Sequence, residues 1–208
     1  MNKKLFLPIL FLMIFNVAMS QRFDAGILAG FNASQVTGAQ LNGIPISGFH
    51  KPGVLAGLYV ETDLAPAVFA GIEIKYSQKG ARKKVTDKSP ESYVMRLGYI
   101  DFPVYLAFRT NQKGAILAGV STGYLVHSQE VNDYGELPPE DQHPFKDIDL
   151  QPFVGFQFDF LDRIKADLRF AISVLPIREQ PGEGTNYYWY NNQFSKVISL
   201  AAYYQFGR

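Results

Sequence analysis

The most constraining feature of this chain is a period of two in side-chain polarity, repeated over eight segments. In the last segment one face carries Ile198, Leu200, Ala202, Tyr204 and Phe206, and the other carries Ser199, Ala201, Tyr203, Gln205 and Gly207. Neighbouring side chains of a β-strand point to opposite faces, so each segment is predicted to be a strand with one apolar face. The segments lie at about 22–32, 53–62, 67–78, 93–109, 114–126, 148–160, 164–176 and 198–207. Each has about the length of a tilted strand that crosses a bilayer.

The connections between the segments alternate short and long. Asp63–Pro66, Thr110–Lys113 and Leu161–Arg163 are tight turns, whereas 34–50, 79–92, 127–147 and 177–193 are longer and rich in Gly, Pro, Asn and charge. Short periplasmic turns and long external loops are usual for outer-membrane barrels. With both termini periplasmic, all four long loops fall outside. We therefore predict an all-β fold, an eight-stranded antiparallel up-and-down transmembrane β-barrel in the cell outer membrane.

Charged residues share the face opposite the apolar one. They are Glu73, Lys75, Asp101, Arg109, Asp149, Asp159, Lys165, Asp167 and Arg169. A soluble barrel around a ligand cavity would show the reverse pattern, with charges facing water. An eight-stranded barrel is only wide enough inside for side chains, and a charge facing lipid at mid-depth costs about 2–4 kcal/mol. We therefore expect a packed lumen of paired charges rather than a conducting pore.

The N-terminal segment and the composition indicate export, a single domain and no thiol chemistry. Residues 1–20 read as a cleaved signal peptide, with Lys3 and Lys4 before the apolar run Leu5–Phe15 and small residues Ala18 and Ser20 at the cleavage site. That apolar run is shorter than the ~20 residues of a membrane-anchor helix. Residues 21–208 then form one barrel domain. The chain has no cysteine, so no disulfide or thiolate chemistry is expected, and its net charge of +1 argues against nucleic acid as a partner.

A mid-chain motif carries a family resemblance. The stretch from Tyr99 to Leu106, with Asp101 where a Glu is usual and Pro103 in its place, resembles the PorT-like outer-membrane β-barrel family of Bacteroidota-type bacteria. The glycine-rich first strand (25–32), the segment 53–57 and the closing 203–206 resemble it too, so the likeness covers essentially the whole mature chain. The resemblance implies an outer-membrane barrel. It defines no functional residues that could be carried over.

Three groups of residues are candidate binding sites. The loop residues Tyr187, Tyr188, Trp189 and Tyr190 could stack on a surface glycan or anchor an envelope protein, with the outer aromatic girdle as the alternative. Arg82, Lys83 and Lys84 could bind phosphates of outer-membrane lipid. The acidic loop 130–149 could hold a divalent cation, although a solvated loop is the simpler interpretation.

The final strand is also a candidate signal for the barrel assembly machinery. That machinery recognises a terminal amphipathic strand ending in an aromatic residue, and Tyr204 and Phe206 fit this description, although Gly207 and Arg208 follow. The alternative is a lipid-facing strand with no signal role, and both can hold together.

No catalytic, metal or cofactor site is predicted. His50, His127 and His143 are the three histidines, too dispersed for a metal site. His127 is adjacent to Ser128, but neighbours in a strand face opposite ways and cannot form a nucleophile–base pair. We expect a non-catalytic protein with a structural or docking role through its outer loops. The alternatives are an accessory subunit of an envelope secretion or assembly machine and, less favoured, a lipid-modifying enzyme.

Overall fold

A computed structural model describes residues 23–41, 44–45, 48–83, 85, 91–138, 143–179 and 192–206. Eight long strands run through this part of the chain. They are β1 (Phe23–Thr37), β2 (Lys51–Ala65), β3 (Val68–Lys83), β4 (Tyr93–Arg109), β5 (Gly114–Asn132), β6 (Ile148–Leu161), β7 (Ile164–Ile172) and β8 (Asn192–Gln205). Two-residue strands lie at Gln40–Leu41, Ile44–Pro45, Gly135–Glu136 and Arg178–Glu179.

The eight strands form one closed antiparallel barrel. Each pairs with its neighbour in the chain, and β8 pairs with β1 from Gly26↔Gln205 to Thr37↔Phe194. Closure satisfies the backbone groups of both edges, which a sheet exposed to hydrocarbon requires. The predicted fold is therefore confirmed. The predicted signal peptide, residues 1–20, lies outside the described residues.

Within the described ranges, no helix is long and apolar enough to cross a membrane.

Several strands extend further on the long-loop side than the sequence predicted. β1 runs to Thr37, β3 to Lys83 and β5 to Asn132, and β8 already begins at Asn192. β7 is the exception, because it ends at Ile172 rather than near 176. The apolar alternation predicted only the stretch that faces lipid, whereas backbone pairing continues beyond it.

The outward face of the barrel carries a continuous apolar band. Phe31 is 71% exposed, and Ile72, Val104 and Leu200 are exposed with it. On the long-loop side the band ends at Val54 on β2, and on β1, β3, β4, β5 and β8 it ends before the outward residues Gln35, Gln78, Arg96, His127 and Lys196. We take this band as the membrane-spanning part and call the barrel beyond it the outer extension.

Pro103 of the family-like motif lies in the middle of β4, within the band. It pairs with Ser121 on β5, but the ladder to β3 passes directly from Ile72↔Val104 to Lys75↔Asp101. Proline has no N–H to donate, which accounts for the gap on the β3 side. The register is the same on both sides of the gap, so the inward residues of β3 remain aligned.

Candidate functional site: the lumen and the outer rim

Buried ion pairs fill the membrane-spanning lumen. Nearest the short turns, Glu61 on β2 accepts hydrogen bonds from Tyr105 Oη (2.8 Å) and Gln157 Nε2 (3.2 Å). The Lys165 ammonium on β7 pairs with the same carboxylate. Partners from three other strands thus meet on one carboxylate, and this joins opposite walls of the barrel.

Arg169 on β7 occupies the centre of the lumen. Its Nη2 donates to Glu73 Oε1 (2.6 Å), Asp167 Oδ2 (3.0 Å) and Tyr203 Oη (2.8 Å). Tyr203 Oη in turn donates to Glu73 Oε1 at 2.8 Å, and Lys75 Nζ lies 2.9 Å from the other oxygen of Glu73. Arg169 is 4% exposed, and two carboxylates and a tyrosine hydroxyl compensate its buried charge. Its Nη1 has no hydrogen-bond partner among the described residues.

A third cluster surrounds Lys79, which is 2% exposed. Its Nζ lies 2.9 Å from Asp101 Oδ1, 3.0 Å from Gln151 Oε1 and 3.6 Å from Asp149 Oδ2. Ser173 Oγ donates to the other Asp149 oxygen at 2.7 Å. The ammonium also stands 4.7 Å from the centre of the Tyr99 ring, a cation–π contact.

Tyrosine rings that lie over glycines of the neighbouring strand fill the rest of the lumen. Tyr105 pairs across the sheet with Gly71, where a Cβ would lie 2.2 Å from the tyrosine ring. Tyr59 covers Gly26 in the same way, with its ring 2.6 Å from such a Cβ. A cavity of about 30 Å³ between Lys79 and Arg169 has room for one or two waters. These contacts confirm the expected packed and paired lumen.

Two of the nine charges predicted to face the lumen do not lie inside it. Arg109 and Asp159 are on the short-turn rim, where Asp159 is exposed and Arg109 pairs with the exposed Asp63. Both stand near strand ends. At the rim, an inward-pointing side chain reaches solvent rather than the packed interior. The alternation of side chains shows which face a residue occupies but not its position along the barrel axis. The sequence therefore could not distinguish rim residues from lumen residues.

The interior of the outer extension contains an apolar cluster. Its buried cluster consists of Val36, Ala39, Ala81, Tyr93, Met95, Leu97, Tyr99 and Ile177. Above it Arg178 Nη1 donates to Glu130 Oε2 (2.8 Å) and Arg178 Nε to Gln193 Oε1 (3.0 Å). Tyr93 Oη donates to the same Glu130 carboxylate. Burial and then the Glu130 charge raise the pKa of Tyr93.

This arrangement corrects the interpretation of 130–149 as one acidic loop. Glu130 belongs to β5 and Asp149 to β6, and both carboxylates are buried and bonded inside the barrel. No group of residues suited to a metal ion occurs in the described ranges. Arg178, assigned to a loop from the sequence, is the partner of Glu130. Because the two residues are 48 positions apart in the chain, sequence reasoning could not find this pair.

The predicted lipid-phosphate residues separate on the outer rim. Arg82 is outward and exposed, whereas Lys83 is inward and buried, with its ammonium 3.8 Å from Glu91. Lys84 lies outside the described residues. Sequence reasoning missed Arg96, which is also outward and exposed just beyond the apolar band. The period-two pattern of β4 contains the signal, since Arg96 is a charged residue at an outward position.

The remaining candidates differ in how far the structure describes them. Tyr204 and Phe206 are exposed at the end of the outward face, in edge-to-face contact at 6.4 Å. Their assembly-signal role stays a prediction. Tyr187, Tyr188, Trp189 and Tyr190 lie outside the described residues. His127 and Ser128 are paired with Gly98 and Leu97 on β4 and so alternate between the two faces.

Solved structures of outer-membrane barrels resemble this one. Ail, the attachment invasion locus protein of Yersinia pestis, in complex with the heparin analogue sucrose octasulfate, is 15% identical, with 89% of this chain and 99% of that chain covered and a TM-score of 0.49. Neisserial surface protein A is 12% identical, with 90% and 99% covered and a TM-score of 0.49. OprG from Pseudomonas aeruginosa is 12% identical, with 90% and 96% covered and a TM-score of 0.38.

No curated protein matches the sequence significantly. The family of outer membrane protein beta-barrel domains matches residues 17–178, which is most of the chain. The narrower PorT-like assignment stays a prediction. The match, together with the closed barrel and its apolar band, shows that the chain belongs to the outer membrane protein β-barrel domain family and is an outer-membrane protein.

Proposed function

We propose that this protein is a non-catalytic outer-membrane anchor that holds long outer loops for docking an envelope protein or a surface glycan. The main support is that side chains fill the lumen, where Glu61, Lys79 and Arg169 each bind partners from several strands. An interior occupied by paired charges and tyrosines leaves the barrel no transport path. Its working surface is then the outer end.

The outer extension supports this role. β3, β4 and β5 continue past the apolar band, and the apolar cluster around Met95 and Leu97 fills the space between them. Loops that leave such a packed rim start from fixed positions. A rigid support of this kind lowers the entropy lost when a loop binds a partner.

Ion conductance tests the carrying observation. Purified, folded barrel inserted into a planar bilayer is expected to show no steady channel current. A large porin in the same bilayer is the positive control for insertion and detection. Stepwise current from this protein alone would contradict a filled lumen and with it the anchor function.

Affinity capture tests the docking role. A tag inserted between Pro138 and His143 allows the barrel to be purified from solubilised native outer membranes. We expect an envelope protein or glycan to co-purify, and we expect the loss of that partner when Tyr187, Tyr188, Trp189 and Tyr190 are all replaced by serine. The control is Tyr134→Ser, because Tyr134 is another outer aromatic and is 98% exposed. A partner kept equally by both variants would exclude the aromatic loop as the docking site.

The same preparation distinguishes the two other functions. One envelope complex captured at equal stoichiometry would make the chain a subunit of a secretion or assembly machine. Changed lipid acyl chains in a deletion strain, without any partner, would indicate a lipid-modifying enzyme. The placement of His127 and Ser128 on opposite faces of β5 argues against that enzyme.

A further inference from the structure

A diagonal row of nitrogen donors crosses the outward wall of the outer extension. It consists of Arg82 on β3, Arg96 on β4 and His127 on β5. Arg82 pairs with Val94, two residues from Arg96, and His127 pairs with Gly98, again two residues from Arg96. Diagonal neighbours of this kind are about 7–8 Å apart, within reach of long side chains. Arg96 and His127 line one pocket, and Arg82 lies beside it, in a neighbouring recess with His50 and Lys83, so a ligand in the pocket is within the span of all three long side chains.

Two glycines lie opposite the row, and a pocket for such a ligand opens beside Gly98. Arg96 faces Gly80, whose φ of 136° is a conformation that side-chain-bearing residues rarely adopt. His127 faces Gly98, where a Cβ would lie 2.9 Å from Tyr76 Oη. The resulting pocket has a volume of about 280 Å³, near the lower end of the range for small-molecule sites. It is lined by Lys51, Tyr76, Gln78, Lys79, Arg96, Leu97, Gly98, His127 and Gln129.

The splaying of two strands opens this pocket. The β2–β3 ladder begins at Leu55↔Ser77, so the start of β2 and the end of β3 do not pair with each other. Lys51 stands at this separation and lines the pocket. Its Nζ donates to the carbonyl of Pro52 at 2.7 Å.

Positive charge at this site is uncompensated within the described residues. Arg82 and Lys51 have no ion pair there, and Arg96 donates only to the neutral Gln129 Oε1, at 3.2 Å. Burial lowers the pKa of Lys51, and the charges of Arg96 and Arg82 lower it further. The neighbouring Lys83, by contrast, has Glu91 at 3.8 Å. An anion would relieve the repulsion among the three cationic side chains.

We propose that Arg82, Arg96, Lys51 and His127 bind the phosphate of an outer-leaflet lipid. Guanidinium groups match phosphate oxygens in paired, charge-assisted hydrogen bonds. The row lies on the lipid-facing side of the wall, immediately beyond the apolar band that ends at Tyr76 and Ile100. Headgroup phosphates occupy this depth of a bilayer, and the acyl chains of a bound lipid would continue along the apolar residues below. This site replaces the contiguous segment 82–84 predicted from the sequence.

Lipid retention from vesicles of defined composition tests the site. Folded protein is reconstituted into vesicles of phosphatidylcholine and phosphatidic acid, extracted with mild detergent, and analysed for bound lipid by native mass spectrometry. We expect wild type to retain phosphatidic acid over phosphatidylcholine. The variant Arg82→Gln/Arg96→Gln should lower this preference at least about tenfold, the effect of losing charge-assisted hydrogen bonds.

The matched control is Arg109→Gln/Lys113→Gln, which removes the same charge from the short-turn rim and should leave the preference nearly unchanged. Arg82→Lys/Arg96→Lys keeps the charge but loses the paired geometry, and it should give an intermediate value. Folding of each variant is judged by the heat-dependent gel shift of the barrel. If the glutamine variant does not fold, the lysine variant still tests whether the two arginines determine the lipid preference.

Three results would overturn the proposal. They are no preference in wild type, an equal loss in the rim control, and an unchanged preference in both Arg82/Arg96 variants.

Competition with inorganic phosphate shows whether the site binds a lipid or a free phosphate ion. Displacement of the lipid by an equal concentration of inorganic phosphate would show a site for free phosphate and overturn the lipid assignment, and retention of the lipid would support it.

Discussion

Along β4 the membrane-spanning part and the outer extension of this barrel have opposite polarity. In the membrane-spanning part of β4, Phe102, Val104 and Leu106 face outward, while Asp101 and Tyr105 face the lumen. Further along the same strand Arg96 faces outward, while Tyr93, Met95 and Leu97 are buried inside. The alternation of side chains continues without a break. What changes is the chemistry assigned to each face.

The medium outside the wall explains this reversal. Hydrocarbon outside the band excludes charge, so the polar residues face inward and must satisfy one another across the lumen. Beyond the band the wall meets lipid headgroups and water, which accept the charge of Arg96, and the apolar cluster inside gains stability from burial as in a soluble protein. One strand can therefore pass from hydrocarbon into a polar medium while its side chains keep the same alternation.

The largest expected effect comes from the charge at the centre of the lumen. Arg169→Met should cost roughly 3–5 kcal/mol of the free energy of unfolding, because Glu73 and Asp167 lose their main partner while remaining buried. Urea unfolding in detergent micelles measures this cost. Lys113→Met, at an exposed turn residue, is the control. A loss below ~1 kcal/mol would show that the lumen is hydrated rather than packed.

The apolar interior of the extension should respond to loss of volume. Leu97→Ala removes a fully buried side chain from the cluster and should cost about 3 kcal/mol, as core Leu→Ala substitutions do. The same unfolding experiment measures it, with Val126→Ala on the exposed surface as the control. Equal, small effects of both substitutions would contradict a packed core in this region.

One substitution on the outward face of β4 compares the two media directly. Val104→Arg places a charge in the middle of the apolar band and should cost about 2–4 kcal/mol. Val94→Arg makes the same change beyond the band, where the cost should be about 0–1 kcal/mol. Unfolding from lipid vesicles provides both values. Similar costs at the two positions would place the membrane boundary elsewhere.

The smallest effect is a pH dependence at the tip of the extension. Ser92 donates hydrogen bonds from its hydroxyl and its backbone N–H to Asp133, and these hold the pKa of Asp133 below its usual value of 3.8. The ionised carboxylate is favoured in the folded state. Its small stabilisation is therefore complete above the unfolded pKa and is lost as the pH falls through the folded one.

Ser92→Ala should return the pKa of Asp133 towards its usual value, as measured by NMR titration of the carboxyl carbon. Ser128→Ala, an exposed serine of β5, serves as the control and should leave the depressed pKa in place. A pKa that does not change in Ser92→Ala would assign the shift to another group.

Residue patterns were sufficient for the fold and insufficient for the partners within it. The alternation around Ile198–Phe206 and the short turns such as Asp63–Pro66 predicted the strands, their number and their orientation. They also predicted that Arg169 and Asp167 face inward. The same patterns misplaced Glu130, because it was assigned to a loop and lies in β5.

Sequence by itself determined the barrel and which face of each strand meets lipid, because both follow from a local period of two and the length of a span. Only the tertiary structure decided which charges meet. Arg169 and Glu73 are 96 residues apart, and Lys165 and Glu61 are 104 apart. Their contact depends on the stagger of strands around the closed barrel, which is set when β8 pairs with β1. No local pattern records that stagger, so the lumen network exists only in the closed structure. The row at Arg82, Arg96 and His127 depends instead on the registers of β3 with β4 and of β4 with β5.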